Sequence, residues 1–177
     1  MPASDPVSFA PLTASDLPRL HEWLQRPHVR EWWEGERTLD EVRHAYLPCI
    51  DGQDSTRVYV AHLGGQPVAF LQCYVVVDSG DGWWPDERDP GARGIDLFIA
   101  DPALLGAGLG RRLLRAFLDS LFADDAVTSV QADPSPDNER AIRCYRAAGF
   151  EDAGLVNTPD GPARLMRATR HSLRQTH

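Results

Sequence analysis

At 177 residues, with 42% of them hydrophobic, the chain suits one domain spanning 1–177, large enough for a real core. Its 26 acids outweigh 18 cationic side chains, all arginine, for a formal net charge of −8. With no basic stripe ahead of Arg164, Arg167, Arg170 and Arg174, a nucleic-acid partner is not expected. No long apolar run and no basic-then-apolar N-terminus occur, so neither a membrane span nor a secretory signal is expected. Cys49, Cys73 and Cys144 are odd in number and scattered, which argues against a disulfide framework and fits a reducing cytoplasm. The histidines form no ligand-spaced pair with cysteine or carboxylate, so no metal is expected.

In chain order, Val7 to Leu12 reads as a strand. Thr13 to Gln25 reads as a helix with Leu17, Leu20 and Leu24 on one face. Thr38 and Glu41 form a capping box that opens a helix running to about Leu47. Arg57 to Leu63 and Pro67 to Val77 read as strands joined by a Gly64-Gly65 hairpin turn. Ile95 to Ala100 is a strand, followed by a glycine loop and a helix. Val127 to Ala132 leads into a further helix, and the strands Phe150 to Asn157 and Ala163 to Ala168 close a last hairpin around Pro159-Asp-Gly161. The alternation predicts one mixed α/β domain, a mixed central sheet flanked by helices. The four C-terminal arginines read as a solvated face or strand end.

The glycine loop carries the first chemical signal. Gly106, Gly108 and Gly110 leave three alternate positions without Cβ atoms, so a ligand can approach the backbone closely. From Leu109 the apolar residues Leu113, Leu114, Phe117, Leu118 and Leu121 form a helical stripe. The N–H groups of the first turn and the positive end of the dipole then face the loop, an arrangement suited to phosphate, with Arg111 and Arg112 adding charge. A P-loop is excluded for want of Gly-Lys-Ser/Thr, and the dinucleotide fingerprint for want of its third glycine. A glycine-rich turn without a ligand is the plain alternative.

The second signal is Ser135-Pro-Asp-Asn-Glu139 before Tyr145. Ser135 suits an N-cap, Pro136 the first helical position, and Asp137 and Glu139 the first turn. Ala141, Ile142, Tyr145 and Ala148 share a face, and Gly149 ends the helix. Tyr145 is either a core tyrosine or a functional one. Between the two signals, Asp78, Asp81, Asp86, Glu87, Asp89, Asp96 and Asp101 stand against only Arg88 and Arg93, beside Trp83 and Trp84. Carboxylates beside indole faces suit a cationic ligand, although acidic loops are also commonly just solvated.

The cradle followed by a tyrosine-bearing helix resembles the acyl-CoA site of the GNAT superfamily. Glu31-Trp-Trp33, Tyr46-Leu-Pro48, Ser79-Gly-Asp-Gly-Trp-Trp84, Gly94-Ile-Asp96, Asp133-Pro-Ser-Pro136, Arg140-Ala-Ile-Arg-Cys-Tyr145 and Thr158-Pro-Asp-Gly-Pro-Ala163 are similar to the aminoglycoside 6′-N-acetyltransferases of that superfamily, from about Leu12 to Thr169. Two departures stand out. The segment between Trp33 and Thr38 is shorter than usual, and Leu105 stands where many members have Gln or Arg.

The resemblance implies a GNAT fold, acetyl-CoA as cosubstrate and transfer of its acetyl group to an aminoglycoside 6′-amine, an antibiotic-resistance activity. Asp96 would be the base and Tyr145 the acid. Backbone groups at Leu97, Phe98 and Ile99 would hold the thioester carbonyl, Gly106, Ala107, Gly108, Leu109, Gly110 and Arg111 the pyrophosphate, and Asn138 would lie near the pantetheine arm. Asp81, Asp133 and Asp160 would take ammonium groups, while Trp33 and Trp84 shape the pocket. The expected partner is a polycationic small molecule, with the protein a cytoplasmic monomer or weak dimer. Two other readings stay open: a GNAT enzyme acting on another amine or a siderophore hydroxylamine, and a non-catalytic acyl-CoA or drug-binding protein.

Overall fold

The computed structural model describes residues 5–80 and 82–176. Strands β1 (Val7–Pro11), β2 (Arg57–Leu63), β3 (Gln66–Val75), β4 (Ala92–Ile99), β5 (Ser129–Ala132), β6 (Glu151–Thr158) and β7 (Gly161–Ala168) form one sheet in the order β1-β2-β3-β4-β5-β7-β6. The β4/β5 pair is parallel, whereas β1/β2, β2/β3, β5/β7 and β6/β7 are antiparallel. Helices α1 (Leu17–Leu24), α2 (Pro27–Arg30), α3 (Leu39–Ile50), α4 (Leu109–Phe122), α5 (Glu139–Ala148) and α6 (Arg170–Arg174) complete a mixed α/β fold. The chain divides into two compact units, one of residues up to Cys73 with Asp96–Leu105, the other of Tyr74–Ile95 with everything from Gly106.

In the first unit, α1 buries Leu17, Leu20, Trp23 and Leu24. The expected capping box of α3 is present: Glu41 N–H donates to Thr38 Oγ1 at 3.2 Å and Thr38 N–H to Glu41 Oε2 at 2.9 Å. The Thr38 and Arg37 N–H groups, both donating to Glu41 Oε2, hold that carboxyl below its ordinary pKa. α3 does not stop at Leu47; it continues through Pro48 to Ile50. Proline removes only its own N–H bond, and this close to the helix end the ladder closes around it, with Asp51 N–H on Leu47 O at 2.8 Å. The β2–β3 turn has φ of 56° at Gly64 and 82° at Gly65, the double left-handed geometry that favours Gly-Gly in a tight hairpin. Val58 pairs with Gln72 and Val60 with Phe70, so these four share a sheet face. That face belongs to a core holding Leu17, Trp23, Val42, Tyr46, Val58, Val60, Phe70 and Phe98.

In the second unit, α4 buries Leu109, Leu113, Leu114, Phe117 and Leu118 and packs on α5, which also meets β6 and β7. The cap of α5 differs from the expectation. Asn138, not Ser135, is the N-cap, its side-chain oxygen accepting from Ala141 N–H at 3.1 Å. Ser135 Oγ instead accepts from Asp137 N–H at 3.4 Å, a local turn that delays the helix by three residues. Gly149 ends α5 at φ 107°. The C-terminal arginines divide between two elements: Arg164 and Arg167 lie in β7, and Arg170 and Arg174 in α6. Arg170 is not simply solvated, since it donates to the carbonyls of Phe122, Asp124 and Val127.

Candidate active site

The first unit places Asp96 half-buried near the centre of β4. Gln72 of β3 donates from Nε2 to Asp96 Oδ2 at 2.8 Å. On the same face Phe70 and Phe98 stack with centroids 5.4 Å apart. Trp33 stands edge-on to both, at 5.7 and 5.1 Å, and Tyr46 edge-on to Phe70 at 5.4 Å. Trp33 thus packs against the aromatic pair on this face. Burial first, and then the charges of Glu36 and Asp96, push the Tyr46 hydroxyl far above its ordinary pKa, against a hydrogen bond from Trp33 that favours the phenolate. One carboxylate oxygen of Glu36 is buried with no hydrogen-bond partner.

Leu97 and Ile99 are half-buried and Phe98 is buried. The end of this strand is tied down by α2, an element the sequence pattern missed. Arg26, the residue before α2, donates to Ala100 O at 2.6 Å, and His28 Nε2 contacts Ile99 O at 2.9 Å. A carbonyl can only accept, so that His28 nitrogen carries the proton.

The cradle lies in the second unit. Gly106 and Gly108 have φ of 75° and 84°, and a Cβ built on either meets nothing within 4 Å. Gly108 is the left-handed N-cap of α4 and has no side-chain cap. The loop Gly106–Ala107–Gly108 is exposed, whereas Leu109 and Gly110 are buried. The first intrahelical bond of α4 runs from Arg112 N–H to Gly108 O at 3.2 Å, so the N–H groups before it lie at the open helix end. Arg111 is exposed beside it. An open loop, left-handed glycines and a helix N-terminus fit a pyrophosphate.

Tyr145 is 7% exposed on α5 and packs edge-on to Phe150 with centroids 5.1 Å apart. Asn138 caps that helix, so its side-chain oxygen has a structural task. Asp133 is half-buried beyond β5, beside Pro134, whose carbonyl accepts from Arg164 N–H at 2.9 Å. Asp160 is exposed at the tip of the β6–β7 hairpin, its N–H on Thr158 Oγ1 at 3.2 Å. Asp81 lies outside the described residues, but a Cβ built on its neighbour Gly82 would sit 3.6 Å from Pro159 Cγ. Gly82 therefore approaches Pro159 at the hairpin tip that carries Asp160. Trp84 is half-buried with its indole nitrogen enclosed and unpaired.

The acidic stretch is only partly a charged surface. Asp89 accepts from the Thr128 hydroxyl and then from Gly91 N–H, which hold its carboxyl below the ordinary range. Glu87 accepts from two backbone N–H groups. Asp101 caps the turn at Ala103. Among the described residues no group of histidine, cysteine and carboxylates could hold a metal ion, and no helix is long and apolar enough to cross a membrane.

A mixed sheet whose β4 leads through a glycine loop into α4, followed by β5 and a tyrosine-bearing α5, defines an acyltransferase of the GNAT class. Residues 13–158 match the acetyltransferase (GNAT) domain family, and the chain belongs to it. It is 50% identical to aminoglycoside N(6′)-acetyltransferase type 1 of Klebsiella pneumoniae, across 98% of this chain and 88% of that protein. Two solved structures of AAC(6′)-Ib are each 50% identical to it. The one with paromomycin and acetyl-CoA has a TM-score of 0.92 and covers 98% of both chains. The one with coenzyme A and kanamycin has a TM-score of 0.91, covering 97% of this chain and 99% of that one.

Proposed function

We propose that this protein transfers the acetyl group of acetyl-CoA to the 6′-amine of aminoglycosides, inactivating the antibiotic, by direct attack within a ternary complex. The observation that carries the reading is the 50% identity to an aminoglycoside N(6′)-acetyltransferase over nearly the whole chain. The open glycine cradle at α4 supports the cosubstrate, and the half-buried Asp96 beside an aromatic wall supports the amine.

Asp96 takes a proton from the substrate ammonium, whose nitrogen has no lone pair to offer until that proton leaves, or from the attacking amine as its nitrogen becomes cationic. The amine nitrogen bonds to the thioester carbonyl carbon as the carbon–sulfur bond breaks. Backbone groups at Leu97, Phe98 and Ile99 meet the carbonyl oxygen as it gains charge, and their strand end is fixed by Arg26 and His28. Tyr145 protonates the departing thiolate. Residues 106–111 hold the pyrophosphate and Asn138 borders the pantetheine arm. Asp81, Asp133 and Asp160 take the remaining ammonium groups, with Trp33 and Trp84 as pocket walls. Residues 1–177 act as one GNAT domain, as a monomer or weak dimer, in the cytoplasm where acetyl-CoA is supplied.

The test is free-thiol release from acetyl-CoA with kanamycin and, in parallel, with paromomycin, which carries a hydroxyl in place of the 6′-amine. Release with kanamycin alone establishes reaction and position. Release with neither overturns the acceptor. Release with both overturns the 6′ assignment.

A further inference from the structure

The polar residue on β3 that faces Asp96 is as informative as Asp96 itself. Gln72 lies in a run of otherwise apolar residues, Val68-Ala-Phe-Leu-Gln72-Cys73, and is half-buried. Its register partner on β2 is Val58, and its neighbours on the shared face are Phe70 and Val60. A glutamine amide on such a face is costly unless it is hydrogen-bonded. It donates to Asp96 Oδ2 at 2.8 Å, within the short range of charge-assisted bonds to carboxylate.

We infer that Gln72 is a positioning residue for the acetyl transfer: its amide fixes the orientation of the Asp96 carboxylate among the aromatic rings. This rests on the reading of Asp96 as the base. A donor to the charged form lowers a carboxyl pKa, while apolar surroundings raise it. Among the described residues, Tyr46 of α3 and Glu36 of the segment before it are linked electrostatically to the same cluster. Tyr46, with its raised pKa, stays neutral in the working range. Gln72 donates to the charged form of Asp96.

The test is the pH dependence of kcat with kanamycin for the unaltered protein, Gln72→Leu, Gln72→Glu and Asp96→Asn. The antibiotic's own amine titrations are common to all four, so only differences between profiles are read. Gln72→Leu is expected to move the acid limb up by about one pH unit and to lower plateau kcat, with the KM for acetyl-CoA unchanged. The near-isosteric Gln72→Glu keeps the volume, guards against misfolding of the leucine variant, and is expected to move the limb further because two carboxyls then share the site. If Asp96→Asn is inactive but both Gln72 variants keep the original acid limb, the positioning role is overturned and the base assignment stands. If Asp96→Asn retains full turnover, the base assignment fails and takes the inference with it.

Discussion

Gly94 of β4 has no left-handed φ among the glycines that do, so an alanine there meets no backbone strain. What it meets is Tyr74: a Cβ built at Gly94 falls inside contact distance of three Tyr74 atoms, Cε2, Cζ and the hydroxyl oxygen. Those atoms are the outer half of a ring, which cannot yield by bending a flexible tip. Gly94→Ala must therefore turn Tyr74 out of its place. Overpacking of this kind costs about 1–3 kcal/mol, and the lower entropy of alanine in the unfolded chain returns about 0.4–1 kcal/mol. A net loss of about 1.3 kcal/mol corresponds to a Tm lower by about 4 °C for a protein of this size. Thermal melts of the two proteins test the value, and melts in a Tyr74→Ala background test the cause, because with the ring gone Gly94→Ala should cost nothing. An unchanged Tm for Gly94→Ala, or the same loss in both backgrounds, would refute the argument from the ring.

Three further outcomes are expected. Gly108→Val puts a β-branched side chain at φ 84° at the mouth of the cradle; it should raise the KM for acetyl-CoA by roughly tenfold or more beyond its folding cost of about 1–2 kcal/mol, and an unchanged KM would remove the loop from cosubstrate binding. Tyr145→Phe should lower kcat by about a hundredfold, and full activity would leave Tyr145 as a core residue only. Asp152 is held at a pKa of about 2, first by the Gly154 N–H and then by Arg146 and Arg164. Because its folded pKa lies below its unfolded one, the stability it supplies is complete above pH about 4 and is lost as pH falls towards about 2. The Tm deficit of Asp152→Asn should accordingly be present at pH 7 and shrink over that interval; a deficit independent of pH would mean that the charge is not what holds the β6–β7 strands there.

The features legible in the sequence are those decided within a few residues. The Gly64-Gly65 turn, the Thr38–Glu41 box and the glycine loop before Leu109 each state their geometry in adjacent positions. Where two local solutions competed, the sequence did not rank them: Ser135 and Asn138 are both good N-caps, and the Ser135–Asp137 turn settles the choice. Helix α2 was invisible for a different reason. It is four residues long, too short for a periodic pattern, and is held by bonds from Arg26 and His28 to residues more than seventy positions away. Gln72 was missed because a single polar residue in an apolar strand gains its meaning only from a register partner and a cross-strand acid.

The acids show how far residue type can mislead. Asp89 and Asp160 both sit beside proline in loops of the same unit, and both suit a turn. Asp89 spends its carboxylate on Gly91 and Thr128, strapping the loop to the start of β5. At Asp160 the turn is made by the backbone N–H on Thr158, so the carboxylate stands exposed at the hairpin tip while its neighbour Pro159 meets Gly82. A loop acid whose turn bonds are made by its backbone can offer its charge to a ligand, and one whose carboxylate makes them cannot do so without loosening the loop. Neutralising Asp89 should therefore cost stability first, and neutralising Asp160 should raise the KM of a polycationic acceptor first.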